Sequence, residues 1–365
     1  MPFQLSDDER LMRDTVRQFA QSWGLANAAE ADRFDRYPAQ PMADAAALGL
    51  TALAARDGPG ATAFVLALDE VAQVDPTLAA CLAAHNGALA AAADHQVAAQ
   101  LAAGEIAALL VAEEASGSDA LHPGTVAKGI PLKLTGQKVW GINAVAARHL
   151  LVLAKEGDGL SLFALPADAA GVTLGANDPL MGLRAAGIRT VYLSNVAAPD
   201  AARIGAAGAG GHAVAAGRTW MTLGAAAALC GAVGGALAAA TTFAQNRVQF
   251  GAPIATYQAV SDGLTTIEVQ LAAARALVLQ AAARIGEPDA AIWAARAKAF
   301  ASEMAIPMTR QAIRVQGGTG FMREGGTERF ARDARALQFV GETVQMQRDV
   351  LKRAMLPDVA FAAEP

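Results

Sequence analysis

The segment NRVQFGAPIATYQAV, residues 246–260, separates two long runs in which apolar residues recur with a helical spacing. Two more runs of the same kind follow towards the C-terminus. Four such runs in succession predict a helical bundle over residues 212–365. The runs lie near residues 213–245, 255–285, 288–315 and 336–355.

Upstream of the bundle, the spacing of apolar residues changes to that of strands. Between about Leu109 and Ile204 the chain has short alternating or β-branched runs, such as HLLVLAK and RTVYLSNV, broken by Gly, Asp, Asn and Pro. This pattern predicts a β domain over residues 109–205. The Gly/Ala-rich segment GAAGAGGHA then predicts a flexible linker to the bundle.

Residues 1–108 return to a helical spacing and predict an N-terminal helical layer. Ser6 followed by Glu9 is a predicted capping box at the start of its first helix. The expected fold is therefore α+β and multidomain, with an all-α layer, a β-barrel-like domain and a four-helix bundle.

Composition excludes several classes of protein. A chain of 365 residues with 54% hydrophobic and 17% charged residues is expected to be globular. A net charge of −5 with mixed signs argues against a nucleic-acid surface. The uncharged stretch Leu223–Ala240 approaches the length of a membrane span, but Ala and Gly bury little apolar area, so a buried helix is expected and no membrane partner.

The cysteine, histidine and N-terminal patterns add three expectations. Cys81 and Cys230 lie in Ala/Leu-rich runs and are expected to be buried and reduced. The five histidines lack the pairing that places two metal ligands on one helix face, so no metal is expected. The N-terminal segment MPFQLSDDERLMRD is acidic where a signal peptide is cationic, which predicts a cytoplasmic protein.

Several segments resemble motifs of the acyl-CoA dehydrogenase family. The resemblance covers nearly the whole chain, and its most specific motif is the Arg-x-x-Phe-Gly-x-Pro-Ile-x-x-x-Gln pattern. The resembling segments are VAEEASGSD (111–119), LTGQKVWGINAVAARHLLVLAK (134–155), PLMGLRAAGIRTVYLSNVAAP (179–199), NRVQFGAPIATYQAV (246–260) and RVQGGTGF…RFARDAR (314–335).

The resemblance implies FAD as cofactor, an acyl-CoA or other acyl thioester as substrate, and an oligomeric assembly. An elongated dianionic dinucleotide needs a cation, amide donors and close backbone approach. The family positions that hold the adenosine diphosphate half, partly across a subunit interface, correspond to Arg247, Gln258, Gly317 and Gly318, with Phe250 in the same motif. The remaining implied cofactor contacts are Ser118 at the pyrophosphate, Thr343 and Gln345 at the dinucleotide, and Trp140 beside the isoalloxazine ring.

Some positions depart from the family pattern. Ala112 and Ile142 stand where the family has threonines, so two hydroxyl groups near the flavin ring are lost. Arg314 stands where the family usually has Gln, as an extra cation for the pyrophosphate or as a residue that fills space. The family's glycine-pair loop after the first helical layer is shortened to RDGPGA.

The family's catalytic base is the Glu of a Glu-Gly-Thr sequence before the last helix. The register set by Thr343 and Gln347 places Gly341 at the base position and Glu342 one residue later. On a helix one residue is a rotation of about 100°, which moves a carboxylate by roughly 8 Å. Glu342 is therefore expected to act as the base only if the backbone shifts, and otherwise to be solvated or interfacial.

Three hypotheses follow. The chain is an acyl-CoA dehydrogenase-like oxidoreductase in which Glu342 removes the α proton, and electron-transfer flavoprotein is a possible partner. Alternatively, it is a non-catalytic subunit paired with a complete homologous chain in a hetero-oligomer. A third alternative is a flavoenzyme of another reaction type, an oxygenase or a lyase. The first hypothesis is favoured because the dinucleotide contacts match the family better than the base does.

Overall fold

The computed structural model describes residues 5–116 and 122–359, arranged as a helical layer, a sheet domain and a helical bundle. Ser118 lies outside the described residues. The helices are α1 (Asp7–Arg33), α2 (Ala39–Ala47), α3 (Gly60–Ala72), α4 (Pro76–Ala91), α5 (Val97–Ala102), α6 (Gly210–Asn246), α7 (Gln258–Ala282), α8 (Ala290–Gln316), α9 (Gly318–Phe321), α10 (Thr327–Leu337) and α11 (Val344–Met355).

The middle domain is one eight-stranded sheet. Its strand order is β6-β7-β3-β2-β4-β5-β8, and β1 pairs in parallel with β4. The strands are β1 (Ala107–Leu110), β2 (Val126–Lys128), β3 (Lys133–Gly141), β4 (His149–Glu156), β5 (Gly159–Pro166), β6 (Val172–Leu174), β7 (Arg189–Ala197) and β8 (Arg203–Ile204), and a separate hairpin in the bundle is formed by β9 (Val248–Gln249) and β10 (Ala252–Pro253).

The N-terminal capping box is confirmed. The Ser6 hydroxyl accepts the backbone N–H of Glu9 at 3.1 Å, and the Glu9 carboxylate accepts the backbone N–H of Ser6 at 2.7 Å. Two N–H groups that a helix start leaves without partners are thereby satisfied.

Helix α6 forms the centre of the molecule. Its small residues let neighbouring helices approach closely: a Cβ on Gly231 would lie 2.3 Å from the carbonyl oxygen of Asp69 in α3. Length and composition alone would allow α6 to cross a membrane, but 83% of its most apolar window is buried inside the fold. The helix is therefore a core helix, as expected for Leu223–Ala240, and Cys81 and Cys230 are buried and free.

One secondary-structure expectation is wrong. The run 336–355 is not a single helix, because α10 ends at Leu337 and α11 begins at Val344. The intervening turn contains Gly341 with φ of 74° and Glu342 with φ of 114°, values that a right-handed helix does not have. Residues 341 and 342 are therefore not related by a helical rotation.

Helix α10 ties the three parts of the molecule together. Arg332 pairs with Asp32 of α1 at 2.7 Å and donates to the carbonyl oxygen of Met181 at 3.0 Å. Asp333 accepts the backbone N–H of Leu183 at 2.8 Å. These contacts fix the orientation of the sheet domain and the N-terminal layer against the bundle.

Candidate active site

Trp140 lies near the end of β3 in an unusual backbone conformation. Its φ is 55°, and 59% of its surface is exposed. Bulky residues rarely adopt positive φ, and such strain persists only where the surroundings impose it. The next residue, Gly141, is packed so closely that a Cβ there would lie 2.6 Å from Leu110 in β1. The turn leaves the indole ring accessible at the edge of the sheet domain.

Asn143 anchors this turn to the N-terminal layer. Its amide donates to the carbonyl oxygen of Cys81 in α4 at 2.9 Å, and its Oδ1 accepts from the Tyr37 hydroxyl at 3.1 Å. Burial raises the pKa of Tyr37 well above its ordinary value, so the hydroxyl stays protonated and remains a donor. Ile142, the residue between Gly141 and Asn143, packs against the main apolar core.

A buried ion pair fixes the other side of the turn. Lys138 of β3 pairs with Glu113 at 2.7 Å, and Glu113 also accepts the backbone N–H groups of Gly124 and Thr125 at 2.6 and 3.0 Å. Burial raises the pKa of Glu113, but the hydrogen bonds from Lys138 and Thr125 outweigh it, so the net shift is downward. The pair holds residues 111–116, including Ala112, beside the end of β3.

Glu342 meets a cation of the bundle. Its Oε1 forms an ion pair with Arg218 of α6, and its Oε2 accepts from Gln347 at 3.1 Å. The two paired side chains are 17% and 22% exposed, so the pair lies at the edge of the solvent. An ionised carboxylate has about four lone-pair sites, so these two contacts leave acceptor capacity free.

Gly341 brings this turn onto α6. A Cβ at this position would lie 2.6 Å from the backbone nitrogen of Thr222, and the Thr222 hydroxyl donates to the Gly341 carbonyl oxygen at 2.7 Å. The close backbone contact places Glu342 within reach of Arg218, which lies one helical turn before Thr222.

Strand β1 packs against both α6 and the Trp140 turn. Gly217, next to Arg218, is packed so that a Cβ would lie 3.0 Å from Leu109, while Leu110 contacts Gly141 in the same way. Helix α6 and the Trp140 turn therefore pack against neighbouring residues of β1, whose side chains point to opposite faces of the sheet.

Thr343 and Gln345 begin the last helix close to Glu342. The Thr343 hydroxyl caps α11 by accepting the backbone N–H of Met346 at 3.3 Å. Gln345 is exposed and donates to Asp349 at 3.4 Å. Thr343 thus has a structural role as a cap, whereas the Gln345 amide is accessible.

A second set of predicted residues lies at the far end of the bundle. Arg247 ends α6, Gln258 begins α7, and Gly317 with φ of 58° ends α8. Phe250 at the tip of the β9–β10 hairpin is 95% exposed, with φ of 51°. The predicted cofactor residues at this end are all exposed: Arg247, Phe250, Gln258, Arg314, Gly317 and Gly318.

The two sets are well separated within one chain. Thr222, against which Gly341 packs, and Arg247 are on the same helix, and a rise of 1.5 Å per residue separates them by roughly 38 Å. One chain therefore does not bring Arg247, Gln258 and Gly317 next to its own Trp140 and Glu342.

The residues at the far end suit a dinucleotide. The N-terminus of α7 has no side-chain cap, which leaves the N–H groups of Gln258 and Ala259 for an anion, and the backbone of Arg247 is bonded to Ile254 shortly before this helix. A Cβ at Gly317 or Gly318 would meet no atom within 4 Å, so the backbone there is open to close approach. This donor set fits the pyrophosphate half of FAD.

The structure adds residues that the sequence did not single out: Arg218, Thr222, Lys298, Glu113 and Lys138. One signal was available for Arg218, which is the only Asp, Glu, Lys or Arg residue in α6. A single charged residue in a long Ala/Gly-rich helix predicts a partner of opposite charge elsewhere in the fold. Its partner is distant in sequence and was not identifiable from the pattern alone.

The chain thus has three parts: an N-terminal helical layer, a middle sheet domain and a C-terminal helical bundle. Family models for the acyl-CoA dehydrogenase N-terminal, middle and C-terminal domains match residues 6–104, 108–196 and 208–356. The chain belongs to the acyl-CoA dehydrogenase family.

Relatives agree with this assignment. The chain is 32% identical to "Probable acyl-CoA dehydrogenase FadE25" of Mycobacterium tuberculosis (strain ATCC 25618 / H37Rv), over 97% of both chains. It superposes on butyryl-CoA dehydrogenase from Megasphaera elsdenii with a TM-score of 0.92 at 27% identity, covering 98% of this chain and 100% of that one. It also superposes on a chain from the structure of the electron transferring flavoprotein of Acidaminococcus fermentans. The TM-score is 0.93 at 26% identity, covering 98% of this chain and 100% of that one.

These findings confirm the expected fold and the class of acyl-CoA dehydrogenase-like flavoprotein oxidoreductase with FAD as cofactor. Helix α6, whose most apolar window is 83% buried, is a core helix of this fold.

Proposed function

We propose that the chain oxidises an acyl thioester between its α and β carbons, with Glu342 as the base that removes the α proton. The observation that carries the proposal is the Arg218–Glu342 pair between α6 and the turn that precedes α11. Glu342 has φ of 114°, which is unusual for a residue with a side chain. Such conformations cluster at functional sites, where the surroundings impose them.

The displaced register is part of the proposal. Gly341 takes the place that Glu has in most of the family, and the left-handed backbone at residues 341 and 342 redirects the following side chain towards α6. In this proposal, the turn at residues 341 and 342 moves the Glu342 carboxylate to the position of the base, and no rotation about a helix is needed. Arg218 and Gln347 each hold one carboxylate oxygen and so orient the group.

The chemistry divides between the chain and its cofactor. When bound, FAD supplies the acceptor for the hydride that leaves the β carbon. The carboxylate of Glu342 accepts the α proton, and the electron pair of that C–H bond forms the new carbon–carbon double bond. A general base of this kind typically contributes about 10²–10⁴-fold to the rate.

Two copies of the chain, or this chain and a homologous one, are proposed to complete the cofactor site. Trp140 would lie beside the flavin ring, with Thr343 and Gln345 at nearby parts of the dinucleotide. Arg247, Phe250, Gln258, Arg314, Gly317 and Gly318 of the other chain would hold the adenosine diphosphate half, since those of the same chain lie roughly 38 Å along α6 from Thr222. Ser118 is proposed at the pyrophosphate.

Anaerobic mixing with acyl thioesters of different chain length tests the base. The FAD-loaded chain is expected to lose its visible flavin absorbance, and Glu342→Gln is expected to slow that loss by about 10²–10⁴-fold. Glu287→Gln, an exposed Glu between α7 and α8, is the matched control and is expected to bleach at the wild-type rate. Unchanged bleaching in Glu342→Gln would remove Glu342 from the mechanism.

One observation favours a second candidate, a non-catalytic subunit. Both oxygens of Glu342 already have partners, and the close contact of Gly341 with α6 excludes a side chain there. This candidate predicts little turnover by the chain alone and co-purification with a homologous chain, so robust turnover by the isolated chain would exclude it. An electron-transfer flavoprotein as acceptor and a cytoplasmic location belong to the primary proposal.

A further inference from the structure

Side chains of α8 hold the turn that precedes Glu342. Lys298 is fully buried, and its Nζ donates to the carbonyl oxygens of Leu337 at 2.9 Å and Val340 at 2.5 Å. One helical turn further along α8, the carbonyl oxygen of Ser302 accepts from the Gln338 side chain at 2.6 Å. The turn is therefore attached to α8 through both its backbone and its side chains.

Lys298 is an unusual group for this task. A buried ammonium is costly unless it is paired, and its hydrogen-bond partners here are neutral carbonyl groups. The carboxylate that stabilises its charge is Glu342, which opposes the effect of burial on the lysine. An uncharged donor would satisfy the same carbonyl groups at a lower desolvation cost. The two carbonyl contacts of Lys298, at Leu337 and Val340, are what connects it to the turn that leads to Glu342.

We infer that Lys298 is a positioning residue for Glu342. By holding the carbonyl groups at the end of α10, Lys298 fixes the turn against α8, while Thr222 fixes Gly341 against α6. These two sets of contacts fix the backbone conformation between them, and this conformation places the Glu342 carboxylate next to Arg218. This inference rests on the proposed role of Glu342 as base.

Removal of the ammonium leaves two buried carbonyl groups without a donor, so the turn relaxes towards solvent or towards other donors. Displacement of a catalytic group by about 1 Å can already cost about 100-fold in rate. The binding of FAD and thioester depends on other residues and is expected to persist. The predicted signature is a loss of rate with unchanged substrate affinity.

Single-turnover bleaching of the FAD-loaded chain with a saturating acyl thioester tests the inference. Lys298→Met is expected to lower the limiting rate about 100-fold, with FAD content and the half-saturating thioester concentration within about twofold of wild type. Ser302→Ala is the matched control on the same face of α8. It removes a hydroxyl that has no hydrogen-bond partner and keeps the carbonyl group that Gln338 uses.

Amide hydrogen exchange of residues 338–343, measured without substrate, gives an independent readout. Faster exchange is expected in Lys298→Met than in wild type or Ser302→Ala. Should Lys298→Met not fold, Lys298→Gln retains a neutral donor and is measured instead, with a smaller loss of rate expected. A wild-type limiting rate or unchanged exchange in the folded variant overturns the role of Lys298.

The two possible failures are distinguishable. A wild-type rate in Lys298→Met together with a slow Glu342→Gln overturns only the positioning role and leaves Glu342 as base. A wild-type rate in Glu342→Gln overturns the base assignment itself and, with it, the role of Lys298.

Discussion

Gly341 and Thr222 are in backbone contact. A Cβ on Gly341 would lie 2.6 Å from the Thr222 nitrogen, and the Thr222 hydroxyl donates to the Gly341 carbonyl oxygen at 2.7 Å. Because Gly341 has no side chain, the turn before α11 packs directly against the backbone of α6. A carboxylate at residue 341 would need this contact to open.

Substitution of Gly341 is expected to destabilise the fold. Gly341→Ala adds a Cβ in a backbone with φ of 74° and against the α6 backbone. Strain from a left-handed residue alone costs about 1–2 kcal/mol, and the contact adds to it. Gly49→Ala is the matched control, because Gly49 has φ of 77° and a Cβ there meets no atom within 4 Å.

Thermal unfolding of both variants separates the two contributions. The midpoint of Gly341→Ala is expected to fall further than that of Gly49→Ala. Equal midpoints would show that the contact of residue 341 with α6 adds no destabilisation beyond the backbone strain. Gly341→Glu is expected to be less stable than Gly341→Ala and to gain no activity.

Lys298 is expected to make stability depend on pH in the alkaline range. Burial lowers the pKa of Lys298 to about 7, from an ordinary value of 10.5, and Glu342 offsets part of the effect. Between these values the unfolded chain binds more protons than the folded chain, so the free energy of unfolding rises with pH. The contribution is at most about 1.4 kcal/mol per pH unit within that window.

Urea unfolding of wild type and Lys298→Met between pH 7 and pH 10 measures this term. The difference in unfolding free energy, wild type minus variant, is expected to increase with pH. A difference that does not change with pH would mean that Lys298 keeps its ordinary pKa.

The elements of this fold were predictable because each rests on local pattern. The capping box of Ser6 and Glu9 and the alternation of strands need only neighbouring residues. The turn at residues 338–343 escaped prediction because its apolar residues continue the helical spacing on either side. Its geometry is imposed by contacts with side chains of α6 and α8. The spacing of residues within the turn does not predict these contacts.

For the candidate site, the sequence predicts individual residues but not the contacts that hold them in place. Motif resemblance predicts roles for Trp140, Arg247 and Glu342, but it does not predict the residues that contact them. Arg218, Lys298 and Lys138 contact their partners only after folding, through residues that are distant in sequence. Positive φ at Trp140 and Glu342 is likewise invisible in residue types, since neither residue favours it.

The buried pair of Lys138 and Glu113 is expected to be strongly coupled. Lys138→Met leaves the Glu113 carboxylate buried with its backbone donors only, and breaking such a pair costs about 3–5 kcal/mol. Glu113→Gln together with Lys138→Met removes both charges and is expected to be less destabilising than the single variants predict by addition. Unfolding free energies of the four proteins give the coupling directly. Additive effects would contradict it.

Loss of this pair is also expected to loosen the Trp140 turn, since Lys138 lies two residues before the indole. Intrinsic fluorescence quenching by acrylamide is expected to increase in Lys138→Met, and Lys155→Met, at an exposed position on β4, provides the control. Equal quenching in the two variants would mean that Gly141 and Asn143 hold the turn without the ion pair.

Asp333 is expected to lower the free energy of unfolding as pH rises towards neutrality. Burial raises the pKa of Asp333 to about 7 from an ordinary value of 3.8, and Arg329, at 3.7 Å, only partly compensates. Between these values the folded chain binds more protons than the unfolded chain, so the free energy of unfolding falls as pH rises.

Asp333→Asn keeps the size of the side chain and an oxygen for the backbone N–H of Leu183, and it removes this titration. The unfolding free energy of wild type relative to Asp333→Asn is therefore expected to be higher at pH 5 than at pH 8. Asp262→Asn, at an exposed position on α7, is expected to show no such change. A wild-type advantage that grows towards pH 8 would mean that pairing with Arg329 outweighs burial and that Asp333 is ionised throughout. The α10 junction would then be held by charge attraction instead of a protonated carboxyl group.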